Sequence, residues 1–455
     1  MAQGRESETR SLGRWSAALC GAGLLVGLLW PAQSEAWVPL GGTLSLDQRD
    51  FRIHRNFTGP EVDNSTATHP DFPGADGVVL AIWKAASEWG SELRGSGQAD
   101  PTQPFGLGSG GANFEFVYQG LADSPGGTDD NIVSQIDGGG GGTFAFTELP
   151  IDNGWRIRFF SGAALWDDNP FGPPSGKDIQ GVATHEFGHA LGLAHSLSPG
   201  ATMRPNATGT LTYMRSLHPD DIDGVQALYG QRSPQKPHIE SYELGDGGSI
   251  AILGENFAPT GNLVWFTPAA MGDGTPLQAG PVDSSAGGTR IDLALPAGAG
   301  QGDVVVRVPG NDGAALSNAF PFDPTQDPCR IPSSFGVAKT TSTGGLVELS
   351  WAGFPSATTN DFRILAEGGP PNALGVLFYG SAEASIPFMG GTLNVAGPYR
   401  RAFPLRFNFL GIGTTTIPID ATLVGRTRLY QLWFPDAGDP FGVGLSNGLR
   451  VNFCP

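Results

Sequence analysis

Val78, Val79, Ile82, Trp83, Ala86, Trp89 and Leu93 recur every three or four positions, the spacing of a helix that buries one face. This predicts a helix over residues 78–93 with a purely structural role. A second pattern runs over residues 178–191. Val182, Ala183, Phe187, Ala190 and Leu191 supply buried faces there, and His185 and His189 fall together on another. Pro219 with Asp220 and Asp221 opens a third helix, since proline suits a first turn and carboxylates suit the positive end of the helix dipole. Residues 113–118, 143–147 and 155–160 alternate as strands do, and residues 44–46 and 51–53 do so weakly. The stretch 59–77, rich in proline, asparagine and aspartate, reads as loop.

Beyond residue 237 the helical spacing disappears. Short β-branched and aromatic runs take over, separated by glycine turns: residues 249–257, 264–266 and 303–308, then 347–351 and 428–434. The chain therefore predicts an α+β front part over residues 37–232, a proline-interrupted linker at 233–237, and two all-β modules at 238–323 and 327–455. A length of 455 residues suits several domains, and 69 glycines with 37 prolines suit turn-rich β structure.

Composition changes the picture in two places. The formal net charge of −18 argues against nucleic acid and anionic membrane surfaces as partners. Residues 1–36 have a basic start (Arg5, Arg10, Arg14), an apolar run from Ala17 to Trp30, and small residues before a cleavage point after Ala36. That is the layout of a secretory signal, too short to span a bilayer, and no later segment reads as a transmembrane helix. The predicted location is extracellular, or periplasmic or cell-surface in a Gram-negative host. Removal of the signal leaves Cys329 and Cys454, an even pair that reads as a disulfide closing the last module. No cysteine then lies upstream to hold a metal site latent. Asn56, Asn64 and Asn206 each begin a glycosylation acceptor triplet, which has meaning only in a eukaryotic host.

The chemistry concentrates in His185-Glu186-Phe187-Gly188-His189-Ala190-Leu191-Gly192-Leu193-Ala194-His195. Residues four apart lie about 400° round a helix, so the rings of His185 and His189 project from nearly one side, as two ligands of a tetrahedral Zn²⁺ require. Glu186 is offset from such a metal and reaches the water it binds, where a general base is needed. Gly192 can end the helix through positive φ and swing His195 back as a third ligand. Three protein ligands leave a position for water.

The extended pattern resembles the metzincin metalloproteases, whose histidine motif is followed by a methionine turn. Ala201-Thr202-Met203-Arg204-Pro205 stands where that turn belongs. Ser196 after the third histidine, with the segment from Asp220 to Gly230, makes residues 37–232 similar to the matrixin branch, the matrix metalloproteases. The resemblance implies a twisted, mostly parallel sheet with an antiparallel edge strand and three helices. It also implies one catalytic zinc, Met203 as an apolar floor, Asp221 as a buttress of the methionine turn, and substrate added as a strand to the edge at residues 143–147. Family members often bind calcium, and Asp129, Asp130, Asp137, Asp167 and Asp168 are the carboxylates from which Ca²⁺ ligands would come. Two departures stand out. His54 and His69 are the only histidines upstream and lie far from that region, which argues against a second zinc. The family's Pro-x-Tyr becomes Pro205-Asn206-Ala207, so pocket depth does not carry over.

Residues 238–323 resemble an immunoglobulin-like module of the IPT/TIG kind through Gly254-x-Asn256-Phe257 and the strand order. Residues 327–455 resemble the C-terminal β modules of secreted bacterial proteins. Exposed aromatics in such modules offer a glycan or surface polymer something to stack on. The chain thus reads as a secreted zinc endopeptidase acting on a protein or peptide substrate. The rival is a surface adhesin that uses the protease fold as a scaffold, and its support is the length of the β region.

Overall fold

The computed structural model describes residues 37–95, 103, 106–127, 130–148, 154–169, 175–205, 208–245, 247–272, 275–325, 332–353, 355–357, 360–420 and 422–454. The signal segment 1–36, Asp129, Asn206 and Cys329 lie outside the described residues.

The front part is built on a five-stranded sheet. Val117–Ala122, Asp50–His54, Ile132–Ile136 and Arg156–Phe160 run parallel in that spatial order, and Ala145–Glu148 closes one edge antiparallel to Arg156–Phe160. Parallel neighbours need crossovers, and helix α1 (Gly77–Glu88) supplies one of them. Helix α2 (Ile179–Ala190) packs against α1, and α3 (Pro219–Tyr229) follows the methionine turn. These are the α-helices among the described residues. The ring of Phe187 on α2 lies 5.3 Å from Phe51, 4.8 Å from Phe116 and 5.5 Å from Trp155. Edge-on and tilted aromatic contacts of this kind fix a helix on a sheet in angle as well as distance. They set the height of α2 above the edge strand.

Three expectations shift. Helix α1 stops at Glu88, because Trp89 leaves the helical ladder and its indole N–H donates to the Thr184 carbonyl on α2 at 2.9 Å. Residues 113–116 run outside the sheet and only Val117 onward pairs with it. Phe114 and Phe116 enter the core while Glu115 turns to other partners, which produces alternation without a strand. The strand expected at residues 44–46 does not form: Leu44 and Ser45 are irregular and Leu46–Gln48 is a 3₁₀ turn. Asn56 and Asn64, the described glycosylation candidates, have committed amides: Asn56 bridges to the backbone of Gln135, and Asn64 to Phe57 and Val78.

Beyond the five-stranded sheet, two four-stranded antiparallel sheets face each other. Ile239, Tyr242, Ile250, Ile252 and Ile291 from one meet Val264, Phe266, Val304, Val306 and Phe322 from the other. The linker is not a free tether. Lys236 is buried, donates to the Leu316 carbonyl, and lies 4.0 Å from Glu115. Residues 332–454 form a further β body, with a five-stranded antiparallel sheet and a three-stranded one enclosing a separate apolar core. Cys454, at its end, is buried and disulfide-bonded.

Candidate metal centre

Helix α2 is pinned at its start. The Asp178 side chain accepts the Gln180 N–H at 3.1 Å as an N-cap, and its carboxylate also takes Arg215 Nε at 2.6 Å and Nη2 at 3.0 Å. Both members of that ion pair are fully buried. At the other end Gly192 has φ +102°, and the Leu193 N–H returns to the Gly188 carbonyl at 3.0 Å. Only glycine takes that conformation without strain.

The turn brings His195 back to the two helical histidines. Ring centroids are 4.8 Å apart for His185 and His189, 5.3 Å for His185 and His195, and 4.8 Å for His189 and His195. One ring nitrogen from each lies within 4.8 Å of the others. His185 Nδ1 is 2.6 Å from the Thr202 carbonyl and His189 Nδ1 is 2.7 Å from the Leu193 carbonyl. A carbonyl can only accept, so both Nδ1 atoms carry the proton and both Nε2 atoms keep a free lone pair. Burial, reinforced by the neighbouring rings, pushes His185 down to about 3 and His189 down to about 4. Burial lowers His195 as well. Three neutral imidazoles with no carboxylate among them form a donor set that fits zinc.

The floor under this site is equally determined. Met203 is buried against α2, and a Cβ on Gly188 would stand 2.2 Å from its sulfur, so the glycine inside the motif makes room for the methionine. Asp221 accepts the N–H groups of Thr202 at 2.7 Å, Met203 at 3.1 Å and His218 at 3.0 Å. Since Thr202 holds His185, Asp221 orients that ring at one remove. Ser196 donates its hydroxyl to Asp220 at 2.6 Å and its N–H to the Met203 carbonyl at 2.8 Å, tying the third histidine's loop to the same turn.

Glu186 points into the cleft and is 5% exposed. Burial raises its carboxyl to about 7, while a hydrogen bond from Thr147 opposes the rise. The cleft holds a cavity of about 550 Å³ bounded by the edge strand, the histidines and a wall of Val182, Leu211 and Met214.

With this geometry in view, the matrixin family model matches residues 62–230. Residues 62–230 form a matrixin domain. The chain is 33% identical to matrix metalloproteinase-20 of Homo sapiens over 171 residues, which covers 36% of this chain and 30% of that protein. It is 45% identical to matrix metalloproteinase-19 of Mus musculus over 71 residues, 16% of this chain and 13% of the relative. Against neutrophil collagenase of Homo sapiens it is 62% identical over 52 residues, 11% of each. The chain thus spans less than a third of the length of these relatives. The family match falls on the front part of the chain, where the three histidines are grouped closely enough to hold one metal ion.

The calcium candidates fare differently. Asp167 and Asp168 come together with Asp63, one carboxylate oxygen of each within 4.8 Å of the others. Asp130 and Asp137 lie on exposed loops and do not join them. Asp167 is already satisfied by the N–H groups of Asn169, Ser175 and Gly176, and Asp168 by the N–H and hydroxyl of Ser65. Two residues to which the sequence analysis gave no individual role also reach the site of the matrixin domain. Thr147 touches Glu186, and the Tyr229 hydroxyl donates to the Leu191 carbonyl at the end of α2 at 2.7 Å. Both contacts act across the fold, over 39 and 38 positions. No helix among the described residues is long and apolar enough to cross a membrane.

Proposed function

We propose that the protein is a secreted zinc-dependent endopeptidase, an inference carried by the convergence of His185, His189 and His195 beside a buried Glu186. A zinc ion held by the three histidines supplies Lewis acidity toward a scissile carbonyl and toward the attacking water. The residues of the chain do the rest. The Nδ1–H bonds to Thr202 and Leu193 keep the Nε2 lone pairs of His185 and His189 turned inward. Glu186 accepts the proton of the attacking water on its carboxylate and delivers it to the leaving amine, a task matched to a carboxyl held near neutrality. Ala145–Glu148 is a terminal strand of its sheet, and an extended substrate adds to it antiparallel, with backbone hydrogen bonds giving affinity and the Val182–Leu211–Met214 wall giving selectivity.

Several finer features belong to this reading. Residues 238–323 serve as an IPT/TIG-like module, supported by their paired antiparallel sheets. Cys454 pairs with Cys329, and the last module presents Tyr399, Phe409 and Phe441 to a glycan or surface polymer. A Ca²⁺ ion, where one binds, sits at Asp63, Asp167 and Asp168.

The test uses residues 37–455 and the Glu186→Ala variant, with bound zinc measured and unfolded casein and gelatin offered as substrates. The expected result is about one zinc per chain, cleavage abolished by a chelator, and a loss of at least about 10²-fold in the variant. Full zinc occupancy with no cleavage of any protein would favour the scaffold reading. Folded protein that binds no zinc would remove the central claim.

A further inference from the structure

The general base has one fixed partner. Among the described residues, the Glu186 carboxylate is contacted through hydrogen bonds only by Thr147, whose Oγ1 lies 2.9 Å from Glu186 Oε2 and 2.8 Å from the backbone carbonyl of the same residue. Both neighbours are acceptors once Glu186 is ionised, so the single hydroxyl proton is shared between them. The arrangement clamps the carboxylate to its own helix turn. Thr147 is itself held. It pairs with Ile157 in the antiparallel ladder, and a β-branched side chain in a strand has little freedom at χ1.

We propose that Thr147 is a positioning residue for catalysis: its hydroxyl fixes Oε2 of Glu186 so that the other carboxylate oxygen faces the attacking water. This rests on the proteolytic reading given above. A buried glutamate with three rotatable bonds and no partner would sample several orientations, and displacement of a catalytic group by about 1 Å can cost about 10²-fold in rate. Threonine at this point removes that freedom with a hydroxyl, which orients the base without bringing a second charge beside the metal. The position also links two functions. Thr147 lies in the strand Ala145–Glu148, where substrate is to add. A substrate that orders this strand through its backbone therefore orders the base in the same step, and an empty cleft leaves both looser. Aliphatic replacement of Thr147 keeps the strand and loses the link.

The experiment compares wild type with Thr147→Val, Thr147→Ser, Glu186→Ala and the Thr147→Val/Glu186→Ala pair. Zinc content, thermal midpoint, kcat and KM are measured on one peptide substrate. Thr147→Val is expected to lower kcat by about 10- to 100-fold, as loss of a hydrogen bond to a charged group implies, with KM and zinc content unchanged. Thr147→Ser restores most of the rate because it keeps the hydroxyl. In the Glu186→Ala background Thr147→Val adds no further loss, since the two residues act as one unit. Wild-type kcat in Thr147→Val overturns the inference. So does a fall in Thr147→Ser equal to that in Thr147→Val, or a full second loss in the double variant. Absence of any wild-type turnover, or full turnover by Glu186→Ala, overturns the proteolytic reading and this inference with it.

Discussion

Glu88 shows how much one buried side chain can depend on its surroundings. It is the last residue of α1, where the helix dipole disfavours a negative charge, and it is 1% exposed. Its carboxylate accepts the N–H groups of Gly108 and Leu217, each at 3.2 Å, and the hydroxyl of Ser109. Burial outweighs these bonds and raises the carboxyl from 4.5 to about 7. A carboxyl that holds its proton more tightly when folded contributes stability below pH 4.5. That contribution is lost as pH rises through about 7, a difference of roughly 3 kcal/mol over the window. Glu88→Gln removes the titration. Denaturant midpoints of the two zinc-loaded proteins, measured from pH 4.5 to 8, should therefore differ by an amount that moves in the variant's favour as pH rises. A difference independent of pH would show that Glu88 stays ionised in the folded protein.

At the same scale, what the sequence made legible was what is local. His185, Glu186, His189, Gly192 and His195 lie within eleven positions, so helix periodicity and one glycine turn suffice to bring them together. Asp221 stood out through the family resemblance, at a helix start that Pro219 marks. Thr147 was hidden because its contact to Glu186 spans 39 residues and crosses from strand to helix. Asp63 was hidden in a loop whose neighbour, Asp167, is brought alongside only by the short parallel pairing of Val62–Asp63 with Trp166–Asp167.

At the scale of elements, α2 owes its register to a charge pair more than to its own propensity. Four of its residues are glycine or histidine and its apolar pattern is broken. The Asp178–Arg215 pair joins its N-cap to the 3₁₀ turn Thr212–Arg215 that follows the methionine turn, so the helix and the pocket wall move as one. Arg215→Met leaves the Asp178 carboxylate buried with its charge uncompensated, which should cost about 3–5 kcal/mol. Adding Asp178→Asn, which keeps an N-cap oxygen, should recover much of that loss. Denaturant unfolding of the single and double variants checks this. Equal stability of the two would mean that the cap, rather than the ion pair, secures the helix. The edge strand and α3 were readable from alternation and from proline, whereas the early end of α1 was not. Trp89 fits the helical pattern, yet its backbone N–H turns to the Ala86 carbonyl while its indole reaches the Thr184 carbonyl on α2, a contact no local pattern shows.

At the scale of the whole molecule, the first β module completes the five-stranded sheet of the front part. Val117–Ala122 lies at the sheet margin opposite Ala145–Glu148, and an uncovered margin of this kind invites aggregation. Here Asp303 accepts the Tyr118 N–H at 2.7 Å, and the Thr267 hydroxyl donates to the Tyr118 carbonyl at 2.6 Å. Asp303 also pairs with Arg94 at 2.7 Å, with both side chains buried. Around them Leu46 and Val117 from the front part pack with Trp265, Val305 and Leu316 from the module. Proline and glycine punctuation gave the position of the join but no sign that it is dry. A protein ending at residue 232 would expose this surface and leave Arg94 without its partner. A protein ending at residue 325 would keep it covered. The shorter form should therefore be less stable by several kcal/mol or aggregate on expression, while the longer one keeps the thermal midpoint and zinc binding of residues 37–455. Purification and calorimetry of the two truncated forms decide the matter. Equal midpoints would make the module a detachable appendage, whereas a folded longer form beside an aggregating shorter one would make it part of the front domain's own fold.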